Sequence, residues 1–190
     1  MHTNESVQIR GRLVDAMRGH QAHIDFDSAL ENFPVEFRGA KVQGAPHTAW
    51  QLLEHMRLAL DDILEFSRDA NHESPEWPEG YWPKADAPPN PKAWDESLAK
   101  FRRDSNEMNK LVSDLQNNLL EPFEHGDGQD LLREALLVAS HNSYHLGQLV
   151  ALRKILEAEA KTRKDDTQDT PVVERLKRQS LLDMISDERK

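Results

Sequence analysis

The sequence predicts an all-α protein built as a bundle of long amphipathic helices. Apolar residues recur at three- and four-residue steps through most of the chain. No stretch shows the two-residue alternation of a half-buried strand. Prolines gather between the periodic stretches, six of the ten in residues 71–91 alone. At 190 residues the chain can bury one core without covalent staples.

The first helix is expected to begin near Asn4 to Ser6 and to bury a stripe of Ile9, Leu13, Ala16, Met17 and His20. Gly19 sits near its end, and His20 and His23 read as boundary histidines rather than ligands. A short helical piece follows from Asp25 to Asn32, stopping before Pro34. Pro34 to Pro46, with Gly39 and Gly44, reads as a surface connection.

The second long helix has a clear start. Thr48 and Gln51 form a capping box, the Thr side chain taking a backbone N–H and the Gln side chain reaching back. Trp50, Leu52, Leu53, Met56, Leu60, Ile63 and Leu64 then supply apolar surface, with His55 among them. Residues 71–91 carry Trp77, Tyr81 and Trp82 besides their prolines. Disordered segments are poor in aromatics, so an ordered loop over one end of the bundle is expected, walling a pocket or plugging the end.

Asn90-Pro91 opens the third long helix as N-cap and first-turn proline. Trp94, Leu98, Phe101, Met108, Leu111, Val112, Leu115 and Leu119 mark its stripe, interrupted by the small polar Ser105, and Pro122 is expected to close it. Asp127 is the expected cap of a fourth helix from about Gln129 to Ala160. Lys161 to Thr170 reads as a charged linker, and Val172, Val173, Leu176 and Met184 as a weaker helix after Pro171. The expected organisation is therefore a bundle over residues 1–160 and a linker with a helical extension over 161–190.

A net charge of −10 argues against an electrostatic grip on nucleic acid or on an anionic membrane. No apolar run approaches membrane-spanning length and no signal pattern opens the chain, so a cytoplasmic location is expected. The absence of cysteine removes disulfides, thiolate ligands and a cysteine nucleophile. A metal would have to rest on His, Asp, Glu or water, and any thiol in a reaction would have to come from outside the chain. No Gly-rich phosphate loop, Gly-x-Ser-x-Gly elbow or His-Glu-x-x-His signature occurs.

The chemistry-bearing stretch is Ala139 to Leu149, with His141 and His145 one helical turn apart on one face. That spacing lets two imidazoles reach one ion from a rigid backbone. Glu134 and Gln148 share the face, between Leu137, Val138, Leu149 and Leu152. An inner face that should be wholly apolar thus carries a polar stripe, and packed histidines without an ion are the plainer reading of the same pattern. His55, with Asp62 two turns on, is a candidate third ligand or a satisfied core histidine.

Taken together, Phe26 to Gly44, the run Gly44 to Met56 containing Trp-Gln-Leu-Leu-Glu-His, and Ser140 to Gln148 containing His-x-x-x-His-x-x-Gln resemble the DinB-like (DinB/YfiT-like) superfamily. The resemblance spans roughly residues 5–158. It implies a four-helix bundle of up-up-down-down order, with a long loop between the second and third long helices. It implies a metalloenzyme with a divalent metal, nickel or zinc, on His55, His141 and His145. Some relatives carry out thiol-dependent transfer, which would add a low-molecular-weight thiol as cosubstrate.

Three imidazoles leave a coordination position for water or substrate. Three outcomes follow: thiol-dependent transfer or isomerisation, metal-dependent hydrolysis, or a structural role without catalysis. The expectation carried forward is thiol-dependent transfer on a small molecule, by a homodimer. Glu134 and Asp62 are the candidate proton acceptors, and they and Gln148 are candidates to orient the ligands. Tyr144 lies about 100° off the ligand face and is given no catalytic part.

Overall fold

A computed structural model describes residues 2–19 and 21–168. His20 and the proposed helix beyond Pro171 lie outside the described residues. The elements are α1 (His2–Arg18), α2 (Phe26–Leu30), α3 (Ala49–Arg68), α4 (Ala93–Ser113) and α5 (Leu131–Gln168), with short 3-10 turns at Val35–Phe37 and Glu79–Tyr81. The fold is all-α, with α1, α3, α4 and α5 as the core bundle, long loops before and after α3, and a long C-terminal helix. Contacts divide the chain into two compact units, Met1–Arg153 and Lys154–Lys190.

Side-chain contacts set the helix directions in the first unit. Arg10, midway along α1, bonds Val112 near the end of α4, while Arg18 shares a cavity wall with Phe101 near its start, so α1 and α4 are antiparallel. Asp61 pairs with Lys100, and the buried Thr48 hydroxyl bonds the Asp86 carbonyl just ahead of α4, so α3 and α4 run parallel. His55 meets His141, whereas Phe66, near the other end of α3, meets Phe123 and His125 ahead of α5. In chain order the long helices run up, down, down, up. This corrects the up-up-down-down order, which needs two connections along the length of the bundle. Here only residues 69–92 make that journey; residues 19–48 and 114–130 each turn back at one end.

Local chemistry explains the helix limits. Gly19, at φ 77°, ends α1 with its N–H on the Asp15 and Ala16 carbonyls, a left-handed conformation that favours glycine. The buried stripe of α1 is Arg10, Leu13, Val14 and Met17: Leu13 and Met17 are buried as expected, whereas the expected Ile9 is 44% exposed and Arg10 takes its place. Thr48 and Gln51 form the capping box at the start of α3. Asn90 Oδ1 accepts from the N–H groups of Lys92 and Ala93 and so caps α4.

α4 stops at Ser113, earlier than Pro122, because side chains claim its last carbonyls: Asn117 donates to Leu111 O and Arg10 to Val112 O. Leu119 is still buried, but from the following loop. α5 continues through the expected linker to Gln168. No Gly or Pro intervenes there, and Glu157, Ala158, Glu159 and Ala160 lead into it as good helix formers. In the second unit Arg163 pairs with Glu159 one turn earlier. Among the described residues no helix is long and apolar enough to cross a membrane.

Candidate metal centre

His55 stands in the second turn of α3, behind its capping box, and is 3% exposed. His141 and His145 project from α5 toward it. The ring centroids lie 4.9 Å (His55–His141), 4.6 Å (His55–His145) and 4.5 Å (His141–His145) apart. One ring nitrogen from each falls within 4.8 Å of the other two, and the Nε2 atoms of His55 and His141 are 3.0 Å apart. The structure thus brings together the three histidines that the sequence singled out.

The outer nitrogens are already engaged. His55 Nδ1 donates to the Tyr81 carbonyl at 3.0 Å, and His145 Nδ1 donates to Gln148 Oε1 at 3.0 Å. That leaves Nε2 as the lone-pair nitrogen of His55 and of His145, the arrangement in which an acceptor on one nitrogen directs the other toward an ion; His55 Nε2 faces His141 Nε2 at 3.0 Å. Burial pulls His55 and His141 down to about 4, with smaller contributions from neighbouring imidazoles, and burial also lowers His145. All three rings are neutral at pH 7, the state that a metal requires.

The residues fit such an ion. Bonds of about 2.0–2.1 Å to zinc place ligand nitrogens up to about 4 Å apart, a small ring rotation from the spacing found here. With no thiolate in reach, imidazole ligands suit zinc, nickel, copper or iron.

The aromatic loop walls this centre. Trp82 stacks on His55 at 3.8 Å with the planes 2° apart, and His47 stacks on Trp82 at 3.9 Å. Tyr81 is buried, and its hydroxyl donates to Asp62 Oδ2 at 2.7 Å. Gly80 lets the loop fold tightly beside Tyr81, since a Cβ there would lie 2.6 Å from Pro75 Cβ.

The expected acid–base residues sit elsewhere. Asp62 is two turns from His55, and both its oxygens are taken, by the Tyr81 hydroxyl and by His72 Nε2. Glu134, 2% exposed, is two turns from His141 and pairs with Arg133; burial raises its carboxyl. Seven residues of helix rise about 10 Å, which separates both carboxylates from the free nitrogens. Of the three expected orienting residues, Gln148 alone bonds a ligand directly, and Asp62 acts through Tyr81. Sequence reasoning missed the Tyr81 carbonyl and His47. The first is a backbone atom without any sequence signature, whereas His47 was legible as the residue preceding the Thr48 cap.

Residues 19–149 match the family described as the DinB superfamily. The chain belongs to that superfamily. No curated protein and no solved structure matches it. The expected thiol-dependent transfer is corrected at this point, and the low-molecular-weight thiol goes with it. The site consists of three imidazoles, the chain has no cysteine, and the superfamily match names no thiol reaction. What the site supports is a three-histidine cluster able to hold a metal ion.

Proposed function

We propose that the protein is a metal-dependent hydrolase of a small molecule, with His55, His141 and His145 as ligands of one divalent ion, nickel or zinc. The observation that carries this reading is the convergence of three neutral imidazoles within 4.8 Å, with the outer nitrogens of two of them already held. A bound ion would supply Lewis-acid polarisation of a carbonyl and a more acidic water.

The chain's own residues do the positioning. Gln148 fixes the His145 ring, and the Tyr81 carbonyl fixes His55. Asp62, by accepting the Tyr81 hydroxyl, steadies that carbonyl from two turns away. Trp82 covers one face of His55 and excludes water from it. His47 stacks on Trp82 in turn and helps hold that indole against His55; burial lowers its imidazole. Glu134, tied to Arg133, balances charge along the helix and takes no proton. The same reading places the protein in the cytoplasm as a homodimer, which light scattering of the native protein tests.

Elemental analysis of untagged protein should find about one ion per chain, and the loaded protein should turn over ester or amide probes without added thiol. His145→Ala should lose both, its metal affinity falling by more than the 10–100-fold typical of losing an outer partner. A loaded wild type inert to every probe, with His145→Ala changing only thermal stability, would leave the bundle a non-catalytic role.

A further inference from the structure

A cavity of about 400 Å³ opens among α1, α2, α4 and α5, with Met56 of α3 on its wall. None of the three clustered histidines lines it. Asn142 and Leu146 do, each one position on from a clustered histidine and so about 100° around α5. Met17, Met56 and Phe101 give it an apolar wall, and Asn109 a polar one. Ser105, the small polar residue that interrupts the stripe of α4, borders the cavity and leaves room for it.

Two groups on its walls are unspent. Asn109 is 7% exposed, and its Oδ1 has no hydrogen-bond partner. Buried amide oxygens are nearly always paired, so this one calls for an N–H from outside the chain. Arg18, by contrast, is exposed at the wall and enters no hydrogen bond or ion pair among the described residues. The cavity's other guanidinium, Arg102, is held by Asp27 at 2.6 Å. Asp25 is likewise engaged, as the cap of α2. Both wall carboxylates thus already have a partner in the chain, so a neutral amide N–H suits Asn109 Oδ1, and the guanidinium of Arg18 suits an anion.

We propose that this cavity binds a small carboxylate that bears an amide N–H, the chemistry of an N-acylated amino acid. The N–H meets Asn109 Oδ1, the carboxylate meets Arg18, and the acyl chain lies against Met17, Met56 and Phe101. The volume is in the range of small-molecule pockets. The site is independent of the metal reading, since it uses none of the clustered histidines.

Calorimetric titration of the full chain with N-acetylglycine tests this, with glycine, acetate and N-methylacetamide as partial probes. N-acetylglycine should bind one to one, and the three partial probes at least about tenfold more weakly. His145→Ala should bind it as wild type does. Arg18→Ala, a surface change that leaves the fold intact, should weaken binding about tenfold. Asn109→Leu should abolish it while the circular dichroism is retained. Absence of binding to wild type, wild-type affinity in Arg18→Ala, or loss of binding in His145→Ala would each overturn the proposal.

Discussion

Two buried polar corners of this bundle are built in opposite ways. At one, Arg10 is 6% exposed and donates to Val112 O at 2.6 Å, Asn117 O at 2.5 Å and Ser6 Oγ at 3.3 Å. Each of its nitrogens has an acceptor, and the charge is spread over the Val112 carbonyl, an orphan of the helix end, and the Asn117 carbonyl in the loop that follows. At the other corner the outer nitrogens of His55 and His145 are satisfied and the inner ones face the neighbouring rings. A closed network fixes a helix end, whereas imidazole nitrogens that converge within 4.8 Å of one another can hold an ion. The difference teaches where to look for chemistry: in the unspent valences of buried groups rather than in their polarity.

Acid should separate the corners most. His55 and His141 are held at about 4 in the fold against 6.5 for an ordinary imidazole. Below 6.5 the unfolded chain takes up protons that the fold refuses. Metal-free protein therefore keeps this contribution in full above 6.5 and loses it as the pH falls toward 4. Urea midpoints in the presence of a chelator should fall over that range, and less steeply in a His55→Gln, His141→Gln double variant. Equal slopes would mean that the imidazoles are not held neutral.

Replacing Arg10 with Met attacks the closed corner. It leaves the Val112 and Asn117 carbonyls without their donor, at about 1–3 kcal/mol. Urea unfolding should show that loss with metal affinity unchanged; a midpoint equal to wild type would deny the corner its structural part. Gln148→Ala does the reverse, weakening metal binding about 10–100-fold with stability nearly kept, as competition with a chromogenic chelator would read. Asp62→Asn sits one link further out, through Tyr81, and should cost less than about tenfold on the same assay. If Asp62→Asn proved as damaging as Gln148→Ala, Asp62 would be holding more than the Tyr81 hydroxyl.

Much of the fold was readable where the deciding interactions are local. Thr48 with Gln51, Asn90 with Lys92, and Gly19 after α1 each settle a helix limit within four residues. The reading failed where a distant group intervened. Arg10 lies 102 residues from Val112, and its reach to that carbonyl both ends α4 early and puts Arg10 rather than Ile9 on the buried face of α1. No periodicity in either helix encodes such a contact.

The sequence by itself determined the helices, their caps and the pair His141 and His145, because each rests on backbone geometry repeated every 3.6 residues. Only the tertiary structure decided that His55 closes the cluster from 86 residues away and that the Tyr81 carbonyl aims its ring. It also decided that Asp62 and Glu134 stay clear of the free nitrogens. Those outcomes depend on which helices lie side by side and in which direction, and packing, unlike periodicity, is a property of the whole chain.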